Sequence, residues 1–156
     1  MAKPALLFVC LGNICRSPLA EAAFREAAAK AGLDADVDSA GTGDWHVGGP
    51  PDRRAQAEAL RHGIDIAGYR ARQVGPEDFR RFDRIVALDR QNLVDLRAIA
   101  PADATAALSL LLDHVAGMAG RSVADPYFGE DAGFAETWRE VSLAAEALVK
   151  ELVSRT

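Results

Sequence analysis

Residues Ala5 to Cys10 form an unbroken apolar run, Ala-Leu-Leu-Phe-Val-Cys, that stops at the turn-forming stretch Leu11-Gly12-Asn13. A run without polar alternation has no face to give to water. It therefore predicts a strand covered on both sides, as in a parallel sheet. Seven residues after the run ends, Ser17-Pro18 has the chemistry of a helix start, with Ser17 as N-cap and Pro18 at the first helical position. That helix is expected to carry Ala20, Ala23, Phe24 and Ala27 and to stop at Gly32. A buried strand, a tight loop and a helix in that order constrain the fold strongly, because the unit must sit inside a layered α/β sheet.

The rest of the chain repeats the alternation. Asp36 to Ala40 reads as a second strand and Arg84 to Leu88 as a third. Ala106 to Leu112 reads as a fourth. Helices are expected from about Asp52 to His62, closed by Gly63, and from Asp89, as cap, through Leu93 and Leu96 to a stop before Pro101. Pro76 to Arg81 reads as a short helical turn. Phe134, Trp138, Val141, Ala145, Leu148 and Leu152 recur at steps of three and four and mark one apolar face of a last helix, with Trp138 in the core. Gly41 to Pro51 is a Gly- and Pro-rich loop carrying Trp45, which reads either as a pocket wall or as packing beneath the loop. No repeat or linker divides the 156 residues, so one domain over 1–156 is expected.

Charge and cysteine usage narrow the partners. The net charge is −5 with no dense Lys/Arg run, which gives no support to nucleic-acid binding. No apolar run approaches the ~18 residues of a membrane span, and the N-terminus does not read as a signal peptide, so a cytoplasmic location is expected. Cys10 and Cys15 are the only cysteines and read as thiols in a reducing compartment. They are too few for a structural zinc site, and His46, His62 and His114 show no ligand spacing near them. Arg53, Arg54, Arg70, Arg72, Arg80 and Arg81 read as solvated charges, and His62 as a residue meeting the dipole at its helix end.

The chemistry concentrates at the first strand end, where ligands bind in open parallel sheets. The loop Cys10-Leu11-Gly12-Asn13-Ile14-Cys15-Arg16-Ser17 leads into a helix N-terminus. Such a loop can turn several backbone N–H groups inward as an anion nest, and the helix end adds partial positive charge. Arg16 adds a planar fork for phosphate oxygens, with its guanidinium expected at the rim. Five residues between Cys10 and Arg16 suffice to wrap one tetrahedral dianion with the thiol beneath it. Gly12 permits close backbone approach, and Asn13 tolerates a left-handed conformation. The same donors are expected to lower the Cys10 thiol from about 8.5 and make it a nucleophile.

Val9 to Pro18 resembles the signature of the low-molecular-weight protein tyrosine phosphatases, and Asp125-Pro126-Tyr127 resembles their second motif. Asp38-Ser39-Ala40, Pro51-Asp52, His62-Gly63-Ile64, Ala71-Arg72-Gln73 and Phe82-Asp83 follow as further landmarks in order. The resemblance implies a flavodoxin-like fold, with a four-stranded parallel sheet in strand order 2-1-3-4 flanked by helices. It implies hydrolysis of phosphotyrosine in proteins through a phosphocysteine intermediate on Cys10. Arg16 would bind phosphate, Ser17 would hydrogen-bond the sulfur, and Asp125 would act as general acid and then base. Leu11 to Cys15 would line the phosphate site, Asn13 and Ser39 would brace it, and Trp45 and Tyr127 would wall the substrate ring. Phosphate or another oxyanion would occupy the site, with no metal or cofactor, since backbone dipoles and Arg16 replace the cation. Cys15 reads equally as a space-filling residue or as a redox partner able to form a reversible disulfide with Cys10. Two positions depart from the pattern: Phe128 stands where many members carry a second Tyr, and Tyr69 where many carry a His linked to the loop bracing.

Three other functions fit parts of this sequence. Arsenate reduction by a self-contained relay needs further cysteines after Cys15, and there are none; a version using an external thiol stays open. An arginine phosphatase would carry Thr before the second loop cysteine, where this chain has the bulkier, apolar Ile14. A non-catalytic phosphate-binding module would be expected to lose Cys10, Arg16 or Asp125, and all three remain.

Overall fold

The computed structural model describes residues 3–155. The apolar run forms strand β1 (Ala5–Cys10), and β2 (Asp36–Gly41), β3 (Arg84–Ala87) and β4 (Ala107–Leu110) join it in a four-stranded parallel sheet of order β2-β1-β3-β4. Helix α1 (Arg16–Ala31) links β1 to β2. Helices α2 (Arg53–Arg61) and α3 (Asp78–Arg81) precede β3, α4 (Arg90–Ile99) precedes β4, and α5 (Ala132–Val153) closes the chain. The four-stranded α/β fold and its strand order agree with the expectation from sequence.

Both faces of β1 are covered. Leu6, Phe8 and Cys10 point into a core shared with α1, α2 and α5, where Phe8 and Phe24 meet as tilted rings 5.7 Å apart. Leu7 and Val9 point into a second core with Phe79, Phe82, Leu93 and Leu96. This is why the run lacks polar alternation: with period-two geometry, a strand covered on two sides needs apolar groups at every position. Among the described residues, no helix is long and apolar enough to cross a membrane.

Two local expectations are corrected. Helix α1 begins at Arg16 with Cys15 in the cap position and no side-chain cap, so Ser17 is not the N-cap. The Ser17 hydroxyl is engaged by Asn13 and Cys10 instead. Pro18 falls within the first turn, where no N–H is needed. The fourth strand stops at Leu110, because Leu111 and Leu112 turn into a 3-10 helix (Leu111–His114) and bury in the core shared with α5. Elsewhere the boundaries lie close to those read from sequence. Asp89 caps α4 through a complete capping box with Asn92, and Gly32 closes α1 in a left-handed conformation with φ 70°.

Strand order decides where a ligand can sit. Connections leave β1 toward β2 on one side, while the next strand, β3, pairs on the other side of β1. A crevice opens between the carboxyl ends of β1 and β3, at the point where the order reverses. Cys10 ends β1 there, and Asp89 lies two residues beyond the end of β3.

Candidate active site

The loop after β1 is built from the backbone outward. The carbonyls of Cys10, Leu11 and Ile14 accept from the N–H groups of Thr42, Gly43 and Asp52, at 2.9, 2.9 and 2.8 Å. Among the described residues, no protein acceptor takes the N–H of Gly12, Asn13, Ile14 or Cys15. Asn13 adopts φ 57°, alone among non-glycine residues in the described chain in having positive φ. A left-handed residue beside right-handed ones is the geometry that lets successive N–H groups converge on one point.

Side chains lock that loop from below. Asn13 Oδ1 accepts from the Arg72 backbone N–H at 3.0 Å, which fixes the amide orientation. Asn13 Nδ2 then donates to Ser17 Oγ at 2.8 Å and to Ser39 Oγ at 3.0 Å. Ser17 Oγ lies 3.0 Å from Cys10 Sγ. Gly41 is packed so closely under the loop that a Cβ there would stand 2.7 Å from Leu11 O.

Above the loop is a cavity of about 270 Å³ lined by Cys10, Leu11, Gly12, Ile14, Cys15, Arg16, Trp45, His46, Asp125, Tyr127 and Phe128. The structure therefore brings together Cys10, Arg16 and Asp125, which are more than a hundred residues apart at the extremes. Trp45 and Tyr127 stand in the same lining. Trp45 is 69% exposed, so it does not pack beneath its loop. Ser39 lies below the loop rather than in the cavity. A larger cleft lies nearby, lined by Asp52, Arg53, Arg54, Ala57, Arg61 and Asp131. It holds neither thiol nor loop N–H groups, so the smaller cavity is the candidate site.

Arg16 differs from the expectation. Its guanidinium is not at the rim: the side chain is 3% exposed. Nη1 donates to Asp89 Oδ2 at 2.6 Å and to Val123 O at 3.1 Å, while Nη2 lies 3.6 Å from Asp125 Oδ2. Burial pulls its affinity for protons down, but the Cys10 sulfur, Asp89 and Asp125 outweigh it and hold the side chain firmly cationic. Asp125 is partly exposed, and its Oδ1 accepts the Tyr127 N–H at 3.0 Å, which aims the other oxygen toward Arg16. Burial, and then the negative charge of Asp52, pushes the Cys15 thiol far above the ordinary range. Both cysteines are free thiols.

Several residues with a part in this geometry are not legible in the sequence. Asp89 reads there only as a helix cap, yet its second carboxylate oxygen holds Arg16. His46 lines the cavity, its ring 6.4 Å from that of Tyr127, and carries no motif. Arg54 and Arg72, expected in solvent, are structural instead. Arg54 pairs with Asp52, donates to Tyr127 O and Gly129 O, and stacks 4.6 Å over Phe134, which ties the Asp125 loop down. Arg72 joins Asp38 and Asp78. His62 does not serve its helix end alone: it stacks on Trp138 at 4.6 Å and bonds Glu58 at 2.9 Å. The only sequence signal for these pairs is the presence of Arg and Asp in comparable numbers, which names no partners.

Comparison with known proteins gives one consistent result. The family model described as low molecular weight phosphotyrosine protein phosphatase matches residues 5–156. The chain is 43% identical over 150 residues to the low molecular weight protein-tyrosine-phosphatase YfkJ of Bacillus subtilis, covering 95% of each. The crystal structure of that protein superimposes with a TM-score of 0.92 at 40% identity, over 100% of this chain and 98% of that one. A Drosophila arginine phosphatase also superimposes, with a TM-score of 0.86 at 34% identity, over 94% and 96% of the two chains.

Proposed function

The chain belongs to the low molecular weight phosphotyrosine protein phosphatase family, and from that premise we propose that it hydrolyses phosphotyrosine in proteins, and small aryl phosphates, through a phosphocysteine intermediate on Cys10. One observation carries this reading: a thiol, a buried guanidinium and a carboxylate line one cavity whose floor is a loop of unengaged backbone N–H groups.

In the first step the Cys10 sulfur attacks phosphorus along the line opposite the ester oxygen. The phosphoryl oxygens rest on the N–H groups of Gly12 to Cys15 and on the Arg16 edge that Asp89 leaves open. The O–P bond breaks, and Asp125, entering this step with a proton, passes it to the departing phenolate oxygen. The S–P bond is now formed and Asp125 is a carboxylate. In the second step Asp125 takes a proton from a water whose oxygen attacks phosphorus. The S–P bond breaks, phosphate leaves, and the Ser17 hydroxyl donates to the released Cys10 thiolate, 3.0 Å away. Trp45 and Tyr127 supply aromatic walls for the ring, and the adjoining Ile14 gives the wall near the phosphate an apolar surface that suits a flat leaving group.

The likeness to an arginine phosphatase structure keeps a second reading in view, hydrolysis of phosphoarginine on the same scaffold. Ile14 argues against it, since a charged guanidinium leaving group would meet a hydrocarbon side chain there. Turnover of phosphotyrosine, phosphoserine and phosphoarginine peptides, and reduction of arsenate with an external thiol, compared on one preparation, separate these readings. The expected order places phosphotyrosine first, with Cys10→Ser abolishing hydrolysis and Asp125→Ala slowing it most for leaving groups of high pKa. Undiminished turnover by Cys10→Ser would sink the mechanism, and faster cleavage of phosphoarginine would sink the substrate.

A further inference from the structure

Behind the loop, a line of hydrogen bonds continues past Ser39 to groups that the proposed chemistry does not use. Ser39 Oγ donates to Glu21 Oε1 at 2.8 Å. Glu21 is buried in α1, and its other oxygen accepts from Arg25 Nε at 3.0 Å and Nη2 at 2.8 Å. Arg25 Nη2 also donates to Val37 O at 2.5 Å, which holds the guanidinium against β2. Tyr69 lines the same cleft and brings no cation. The cation at this end of the bracing comes instead from α1 itself, one turn beyond Glu21.

The directions of the bonds that Asn13 makes are set. The Arg72 N–H can only donate, so Asn13 must present its oxygen there and both amide hydrogens to Ser17 and Ser39. Each serine oxygen is then an acceptor, and each serine proton needs an acceptor of its own. For Ser39 the acceptor is Glu21; for Ser17 the nearer acceptor is the Cys10 sulfur, at 3.0 Å, with Ala40 O more distant at 3.5 Å. Arg25 is likewise donor-only, so the Glu21 oxygen it holds must be an acceptor. We infer that Glu21 and Arg25 are positioning residues for the Cys10 thiolate: the Glu21 carboxylate, held by Arg25, fixes the orientation of Ser39 and Asn13 and so aims the Ser17 hydroxyl at sulfur. The inference rests on Cys10 being the reacting group.

An amide in place of the carboxylate reverses the line. Arg25 would require the amide oxygen, leaving the NH₂ to face Ser39. Ser39 would then lose the acceptor for its proton and compete with Asn13, whose hold on Ser17 loosens. The groups that face Glu21 act on its carboxyl in both directions and leave it above its ordinary value. Burial pushes it up, Asp38 adds to that, and the Ser39 and Arg25 bonds pull it back. Asp38 is itself engaged by Arg72.

The test reads the thiol directly, on the full reduced chain. Cys10 alkylation by iodoacetamide is followed by mass spectrometry at about pH 6 and about pH 10, beside steady-state hydrolysis of p-nitrophenyl phosphate. Loss of one hydrogen bond to a charged sulfur makes Glu21→Gln alkylate about tenfold more slowly at the lower pH, a gap that closes at the higher pH. Its kcat falls by about the same factor, with KM within about twofold. Arg25→Met moves both readouts the same way, and Arg25→Lys restores them toward the parent. Unchanged low-pH alkylation in Glu21→Gln, with only the melting temperature lowered, would reduce Glu21 to a structural residue and overturn the inference. If Glu21→Gln does not fold, Arg25→Met, at a half-exposed site, decides alone, and parent-like alkylation there overturns it equally. Alkylation needs no phosphate ester, so this result stands apart from whether the chain hydrolyses phosphotyrosine.

Discussion

Replacing Asp89 tests how the site holds its cation. The two carboxylate oxygens have separate tasks. Oδ1 accepts the Asn92 N–H at 2.7 Å and caps α4; Oδ2 accepts from Arg16 at 2.6 Å. Asparagine is as good a cap as aspartate, so Asp89→Asn removes the charge and keeps the cap, while Asp89→Ala removes both. The cap is worth about 1 kcal/mol. Breaking a fully buried pair costs about 3–5 kcal/mol; Arg16 is buried but the Asp89 side chain is 22% exposed, which brings the charge contribution to about 1–2 kcal/mol. Asp89→Asn should therefore lower unfolding stability by about 1–2 kcal/mol and Asp89→Ala by about 2–3 kcal/mol. Both should cut kcat/KM on an aryl phosphate by about tenfold or more, because Arg16 loses the contact that sets its angle. Urea unfolding at constant m reads the first effect, and steady-state kinetics the second. A midpoint for Asp89→Asn equal to the parent would refute the charge argument. A loss for Asp89→Ala no larger than the cap alone would refute it independently.

Three further outcomes follow from the same geometry. Gly41→Ala sets a Cβ 2.7 Å from Leu11 O and 3.2 Å from Asn13 N, both backbone; a stability loss of about 1–3 kcal/mol and a collapse of aryl phosphate turnover are expected, and parent-like turnover would show the loop to be more compliant than argued. Asp52 caps α2 and pairs with Arg54. Burial pushes its carboxyl up, but the bonds from Arg54 outweigh that and hold it below its ordinary 3.8. A depressed folded value means that its stabilisation is complete above about pH 4 and is lost as pH falls through the lower folded value. Asp52→Asn should thus be less stable than the parent at neutral pH, with the gap narrowing as pH falls below the ordinary 3.8; denaturant midpoints across that range check it, and a pH-independent gap would contradict it. Phe128 is 93% exposed and meets Tyr127 edge-on at 4.8 Å. Phe128→Ala should leave the unfolding stability within about 0.5 kcal/mol of the parent and raise KM for peptide substrates; a large stability loss would mean that the ring packs in solution.

Much of this was legible from short stretches of chain. The unalternating run before Cys10, the Gly-Asn turn and the closing Gly32 act within a turn or a strand, where sterics and hydrogen bonding are set by neighbours. Strand β4 and the start of α1 were misplaced for the same reason in reverse. Leu111 and Leu112 turn away from the sheet to bury in the core shared with α5, and Ser17 gives up its cap to Asn13 and Cys10. In both places a distant or through-space partner outcompeted the local preference. The arginines divide likewise: nothing beside Arg54 or Arg72 announces that Tyr127 O or Asp78 will claim it.

The sequence by itself determined the loop of Cys10 to Ser17, its place between a buried strand and a helix, and the family to which the chain belongs. Only the tertiary structure decided that Arg16 is buried against Asp89 rather than set at the rim, and that Glu21 and Arg25 terminate the bracing behind Asn13. The reason is the strand order. Pairing β3 directly with β1 brings Asp89 beside Arg16, and pairing β2 on the other side brings Ser39 beneath Asn13. Contacts across a sheet join residues 26 and 73 positions apart, a separation over which local sequence preferences carry no information about partners.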